Sequence, residues 1–557
     1  MATHEVFNVP APWSGVNLFS DDRGLSAALQ RAGAGPEQFE RLNRLGGLAG
    51  TPAAQDWARL ANAVPPTLRS HDRYGHRIDE VEFHPSWHEL MSVAVANGLH
   101  ATPWASGAGP HAHLARAAGF YLWSQLEQGH LCPTSISYAV LPALRHAPEL
   151  AARFEPGLVS EIYDFGLRAP GGKAGLLAGM AMTEKQGGSD VRANTTSARR
   201  NDDGSYLLTG HKWFCSAPMC DLFLVLAQTG GSDGGLSCLL VPRVLEDGSR
   251  NPFAIQRLKD KLGNRSNASS EVEFDGTLGW LVGDEGRGVP TIIEMVTMTR
   301  LDCVIGSAAV QRAALTQVMH HIDGRAAFGR RLSEQPLMQE VVADLAIEVE
   351  AATALFLRLA GALDEGHAPL LRLAVAASKF WVCKRTPAVV GEALECLGGA
   401  GYVEESPLPR YFRESPLNSI WEGSGNVIAL DVLRAIAREP QAVQALQDEL
   451  ARTAGADPRL DRAVDELAKR IAGLGADPDA DARAARTLAG LLARTLQGSL
   501  LVQAADNPER SVLAEAYLRT RLATEPPAVF GERVSLGAAT TGALLDYSNP
   551  NRNRVRH

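Results

Sequence analysis

The chain has 557 residues, 45% of them apolar, with 54 Lys and Arg against 63 Asp and Glu and a formal charge of −9. It is too long for one core, since single cores stop growing at roughly 250–300 residues, so three or four domains of about 150 residues each are expected. A mildly acidic chain is not a nucleic-acid binder as a whole, because neutralising phosphates takes concentrated Lys and Arg; a DNA role needs a local patch.

Residues 1–180 carry helical periodicity, as in the Ala/Leu-rich stretch from His113 to Gln128, broken by loops such as Ala169-Pro170-Gly171-Gly172, and predict an N-terminal helical domain. The N-terminus lacks the basic-then-apolar layout of an export signal, and no run approaches the roughly 20 apolar residues of a membrane span, so a cytoplasmic protein with no membrane partner is expected. Residues 181–287 change character. Tyr206 to Thr209 running into Gly210, Leu222 to Ala227, and Leu236 to Val241 before Pro242 read as strands, punctuated by Asp202-Asp203-Gly204 and Glu246-Asp247-Gly248 turns, and predict a small antiparallel barrel or sandwich. Residues 288–439 return to helix, with alanine-rich stretches such as Val341 to Leu363.

Residues 440–557 form a further helical segment. One stripe runs through Leu460, Val464, Leu467, Ile471 and Leu474 and another through Leu488, Leu491, Leu492 and Leu496, both expected to be bundle core. This segment holds 15 Lys and Arg against 15 Asp and Glu. Arg462, Lys469 and Arg470 nevertheless fall on neighbouring helix positions, either as a solvated face or as a one-sided patch, and Arg434 stands where it can line a cleft or close a helix end. The last residues, Asn551 to His557, are basic and expected to be disordered. The seven cysteines (Cys132, Cys215, Cys220, Cys238, Cys303, Cys383, Cys396) are odd in number and without a CxxC pair, which argues against a disulfide framework or a zinc site. His111 and His113 lack a neighbouring carboxylate or thiol, so no metal is expected there.

Four stretches carry chemistry. Met182-Thr183-Glu184-Lys185-Gln186-Gly187-Gly188-Ser189-Asp190 is a loop of hydroxyls and glycines whose N–H groups can converge on the polar edge of a ring or on a pyrophosphate. Gly210-His211-Lys212-Trp213-Phe214-Cys215-Ser216 offers aromatic surface beside a hydroxyl at a strand end, suited to stacking on a heterocycle or to ordinary core packing. Arg325-Ala326-Ala327-Phe328-Gly329 places an arginine before a glycine break in helical sequence, with Gln339 further on; the arginine either holds a phosphate or is a solvated helix-end charge. Leu397-Gly398-Gly399-Ala400-Gly401-Tyr402 leads to Ile420-Trp421-Glu422-Gly423-Ser424-Gly425-Asn426, where Glu422 is either a general base or merely the acidic start of a helix.

Taken in this order, the stretches resemble the acyl-CoA dehydrogenase superfamily, which is α+β and mainly α. The resemblance implies an N-terminal helical domain, a middle β-barrel or sandwich, and a C-terminal four-helix, FAD-binding bundle, here followed by an extra C-terminal helical domain. It narrows to the AidB-like branch, associated with the adaptive response to DNA alkylation, through Phe83-His84-Pro85-Ser86-Trp87-His88, Leu258 to Ser269, and Asn418 to Asn426. What it implies is FAD, a homotetramer and an acyl-CoA thioester substrate, with Glu422 at the base position. Another branch puts its base where Thr299 stands here.

The cofactor contacts implied are Met182, Thr183, Gly188, Ser189, Phe214, Ser216, Arg325, Phe328, Gln339, Gly398, Gly399, Trp421, Gly423, Ser424, Gly425 and Asn426. Arg325 would reach the FAD diphosphate of a neighbouring subunit, and Ser216 the flavin N5 edge. Departures include Lys185-Gln186 in place of a proline-containing pair and Phe214 in place of the usual tryptophan, so slow turnover of short branched thioesters such as isovaleryl-CoA is expected. The branch also implies association with double-stranded DNA, through Arg434, Arg462, Lys469 and Arg470.

Overall fold

A computed structural model of the chain describes residues 3–231, 234–523, 529–532 and 536–551; beyond Asn551 the basic tail lies outside the described residues. Two compact units emerge, and neither is continuous in sequence. One comprises Met1–Pro52, His113–Leu126 and Cys303–His557; the other comprises Ala53–Ala112 and Glu127–Asp302.

The second unit is organised around a sheet. Eleven strands occur among the described residues: β1 Thr67–His71, β2 Arg77–Glu82, β3 Ala178–Ala181, β4 Ser197–Arg200, β5 Tyr206–Ser216, β6 Leu222–Thr229, β7 Gly235–Pro242, β8 Phe253–Leu258, β9 Ser269–Val282, β10 Ala326–Ala327 and β11 Arg330–Arg331. The circuit β6-β4-β5-β9-β7 closes through the β6–β7 pairing, with β3 on β6 and β8 on β9, so the barrel reading is correct. It is not wholly antiparallel, because β3 and β4 both pair with β6 in parallel. The apolar run Leu222 to Ala227 is fully buried, as expected of a strand covered on both faces. Along β5 burial alternates, with Tyr206, Leu208, Lys212 and Cys215 inward, and a register shift between Lys212 and Cys215 lets Trp213 and Phe214 turn outward.

The hairpin β1–β2 was not foreseen in a stretch read as helical. Its strands, TLRSH and RIDEVE, are half-exposed and charge-rich, so no apolar period marks them. The turn between them does carry a signal: Asp72 Oδ1 accepts from the N–H groups of Tyr74 and His76, and Gly75 follows at φ 88°.

The first unit is helical. From Cys303 on, the helix Gly288–Gly324 belongs to it, and Pro336–Asp364 and Ala368–Cys396 supply most of the apolar packing with that part. After residue 440 the helices Pro458–Ala472, Pro478–Gln503 and Pro508–Arg521 each begin with a capping side chain followed by proline. Asp457, Asp477 and Asn507 accept first-turn N–H groups, and a proline at the first helical position gives up no hydrogen bond. The predicted stripes are core in part: Leu460 and Leu467 are buried, as are Leu488, Leu492 and Leu496, whereas Val464, Ile471, Leu474 and Leu491 are only half-buried. Leu460, Leu501, Leu513 and Tyr517 pack against Ala343, Ile347 and Ala351 of Pro336–Asp364. A buried ionic cluster reinforces this seam. Glu348 accepts from Arg521 Nε at 2.8 Å and Arg385 Nε at 3.1 Å, and Arg521 also pairs with Asp344 at 2.6 Å.

All seven cysteines are free and buried. Among the described residues no group of three or more His, Cys, Asp or Glu is arranged to hold a metal, and no helix is long and apolar enough to cross a membrane.

Candidate active site

In the barrel unit, the loop after β3 is organised by a residue the sequence did not single out. Glu184 is buried and accepts from Lys212 Nζ at 2.7 Å, Thr195 N at 2.7 Å, Thr196 N at 3.1 Å and Gln186 Nε2 at 2.7 Å. Burial alone would push its carboxyl up, but Lys212 and the Thr195 and Thr196 donors hold it at about 2. Burial holds the Lys212 ammonium below its ordinary value despite Glu184. Lys212 occupies an inward position of β5, and a lysine there needs a buried anion; this alternation was the available signal.

With Glu184 anchored, its neighbours face out. Thr183 O accepts from Trp213 N at 2.8 Å, and Met182 O from Asn194 Nδ2 at 2.9 Å. A Cβ on Gly188 would overlap Thr183 Oγ1, so only glycine lets the loop lie against that hydroxyl. Ser189 is exposed. Lys259 Nζ lies over both Trp213, 3.6 Å from its ring centroid, and Phe214, at 4.4 Å, and Phe214 is still 48% exposed at the end of β5 near the half-buried Ser216. Replacing Glu184 by Gln is therefore expected to loosen the loop and weaken cofactor retention about 10-fold or more, since it leaves Lys212 buried without its partner; ultrafiltration of the coloured protein measures the loss.

The other predicted contacts lie in the helical unit. A 3₁₀ turn, Leu417–Ser419, precedes Ile420, and the helix Gly425–Arg438 starts only after Ser424. Glu422 is therefore not a helix-start residue. Its φ is 57°, followed by Gly423 at 104°. A left-handed glutamate costs about 1–3 kcal/mol and persists only where its surroundings impose it. They do so here. Trp421 Nε1 donates to Asn418 Oδ1 at 2.8 Å, Asn418 to Ser307 Oγ at 3.2 Å, and Lys379 Nζ to Gly423 O at 2.8 Å. Lys379 is 1% exposed. On the solvent side Lys384 donates to Ser419 Oγ and Arg486 to Asn426 Oδ1. None of these three cations was named from sequence; a lysine on the apolar helix Ala368–Cys396 was the only hint.

Arg325 does not sit in helix. The helix ends at Gly324, and β10 and β11 form a tight hairpin whose turn is Phe328 (φ 53°) and Gly329 (φ 79°). Arg325 donates to Asn8 O, Gln339 to Ser333 O, and Phe328 is 99% exposed. Gly398, at φ 59°, and Gly399 are exposed at the start of Gly399–Tyr402. The hairpin thus presents a bare aromatic, and the glycine pair an uncovered backbone.

The expected DNA residues divide. Arg434 is paired with Asp431 at 3.3 Å. Arg462, Lys469 and Arg470 line one groove of about 710 Å³ together with Arg459, Arg494, Arg519 and Arg521, against only Asp465 and Glu466. The balanced composition of the segment conceals this segregation.

Comparison with known proteins agrees with this layout. Residues 8–165 match the adaptive response protein AidB N-terminal domain, 179–277 the acyl-CoA dehydrogenase middle domain, and 286–437 the acyl-CoA dehydrogenase C-terminal domain. The chain is 47% identical to AidB of Escherichia coli (strain K12) over 474 residues, covering 84% of this chain and 87% of that protein. The crystal structure of Caenorhabditis elegans ACDH-11 in complex with C11-CoA superposes with a TM-score of 0.84 at 26% identity, over 95% of this chain and 94% of that one. An acyl-CoA dehydrogenase complexed with FAD from Bacillus anthracis shares the fold, with a TM-score of 0.66 at 18% identity over 84% and 90% of the two chains.

Proposed function

The chain belongs to the acyl-CoA dehydrogenase family, in the branch that carries the AidB N-terminal domain, and on that premise we propose that it oxidises short branched acyl-CoA thioesters, such as isovaleryl-CoA, slowly, with Glu422 as the base. It is an oxidoreductase of CH–CH bonds with FAD as cofactor. The residues present fit that group: Phe214 offers a half-exposed aromatic ring, Thr183 and Ser189 offer hydroxyls, and Gly188 permits close approach of the backbone. Trp421 and the run Gly423 to Asn426, in the helical unit, are proposed as further FAD contacts.

Dehydrogenation removes a proton from the carbon α to the thioester and a hydride from the β carbon; bound FAD supplies the two-electron acceptor. Glu422 takes the proton. The thioester acidifies that C–H only partly, so the carboxylate must already be aimed, and the left-handed backbone at Glu422 is the observation that carries this reading. An anaerobic titration of the purified yellow protein with isovaleryl-CoA tests it: the flavin absorbance bleaches, and absence of bleaching with any short acyl-CoA overturns it.

A homotetramer is the matching assembly. Phe328, Leu337 and Tyr402 are 99%, 84% and 79% exposed, which suits cover by a second copy, where Arg325, Phe328, Gln339, Gly398 and Gly399 would meet the neighbour's FAD diphosphate. Free, reduced cysteines suit a cytoplasmic setting.

A second activity, association with double-stranded DNA as in a response to alkylation, is favoured by the basic groove. Arg462 and Lys469 make no salt bridge among the described residues, so both are available to phosphates, whereas Arg459 and Arg470 are engaged with carboxylates. Replacing Arg462 and Lys469 together with Gln is expected to lower duplex affinity for all sequences alike and to reduce the slope of log affinity against log salt by about 2; retardation gels over a salt series measure it. An unchanged slope removes these residues from the interface.

A further inference from the structure

Beside the Ile420–Asn426 string lies a cavity of about 440 Å³ whose lining includes Lys384, Arg486, Ser419, Ser424, Gly425 and Asn426 and no acidic residue. Both cations rest on neutral acceptors, Lys384 Nζ on Ser419 Oγ at 3.2 Å and Arg486 Nη1 on Asn426 Oδ1 at 2.8 Å, and neither forms a salt bridge among the described residues. Burial, and then the charges of Arg486 and Lys379, hold the Lys384 ammonium below the ordinary lysine range, so the repulsion between these groups is not relieved within the described chain. A Cβ on Gly425 would overlap Lys384 Cε; glycine is what allows the lysine stem to lie against the start of the helix Gly425–Arg438. Ser424, at the cap position of that helix, makes no capping bond with its side chain. Like charges gathered around a hollow with hydroxyls and no carboxylate are the arrangement of a site that an anion completes.

We propose that Lys384 and Arg486 form a binding site for a phosphate or diphosphate ester. Arg486 lies on Pro478–Gln503, beyond the residues 286–437 matched by the acyl-CoA dehydrogenase C-terminal domain, so the extra C-terminal segment supplies half of the site's charge. Two sources share this chemistry: the diphosphate of the bound dinucleotide, an occupant that rests on the flavin reading above, and a separate phosphorylated ligand.

Titration calorimetry with inorganic pyrophosphate, on the full chain as purified and after removal of flavin, tests the site and separates the sources. Binding to the flavin-free chain alone, with Lys384→Gln and Arg486→Gln each weakening pyrophosphate and FAD by about 10–100-fold while riboflavin affinity stays constant, identifies the dinucleotide. Equal binding with flavin in place, weakened by the same variants, identifies a separate phosphorylated ligand. Arg486→Lys is expected to retain most of the affinity, which a mere folding defect in Arg486→Gln would not explain. The proposal is overturned if pyrophosphate binds neither form, if the Gln variants bind it as the parent does, or if they weaken riboflavin as much as FAD. A chain that binds no flavin at all would sink the flavin reading, and pyrophosphate binding would still decide this one.

Discussion

Glu422→Gln is expected to slow reduction of the bound flavin by isovaleryl-CoA about 10²–10⁴-fold while leaving the protein yellow and its melting temperature unchanged. The amide keeps the shape of the carboxylate but loses its charge and its ability to take a proton. The surroundings that hold residue 422 at φ 57° act on its neighbours, through Lys379 on the Gly423 carbonyl and Asn418 on the Trp421 ring, so they survive the substitution. Thr299, where another branch of the family carries its base, is a buried threonine whose hydroxyl donates to its own helix, and it offers no substitute. Rapid anaerobic mixing with detection of flavin bleaching measures the rate; a variant that bleaches as fast as the parent would remove Glu422 from the chemistry.

Glu348→Gln is expected to cost about 3–5 kcal/mol of stability, because it leaves Arg521 and Arg385 facing a neutral amide in a buried seam. The effect depends on pH in a defined direction. Burial alone would push the Glu348 carboxyl up, but Arg385 and Arg521 hold it at about 2, below its ordinary value of 4.5. A depressed carboxylate stabilises the folded state above its unfolded value, and that contribution fades as pH falls through its folded one. The difference between variant and parent in thermal unfolding is therefore full at neutral pH and narrows as pH drops from about 4.5 toward 2. Since Arg521 belongs to the last of the capped C-terminal helices, protease cleavage after residue 440 should accelerate in the variant before the rest of the chain yields.

The chemistry was legible where it is written as a continuous string. Met182 to Asp190 and Ile420 to Asn426 announce themselves because close approach of backbone and a poised carboxylate are local demands on residue type. What holds those strings was not legible. Glu184 and Lys212 stand 28 positions apart, Lys379 and Gly423 44, and Arg486 and Asn426 60, and no period in the sequence links such pairs. The barrel was readable from compact apolar runs, but its parallel β3–β6 pairing was not, since the β3 sequence Ala178-Gly179-Met180-Ala181 is too short and small to display direction. The basic groove escaped for a different reason. Composition sums over a whole segment, whereas folding sorts its charges by face, so a neutral total can hold a groove in which cations outnumber carboxylates.

The buried thiols carry a consequence for survival. Burial pushes the Cys215, Cys238 and Cys396 thiols up to about 12, so at neutral pH they stay protonated and the thiolate, the form that attacks soft electrophiles, is suppressed. The other four cysteines are equally shut away from solvent. A thiol-seeking electrophile in solution therefore meets none of this protein's cysteines at its surface.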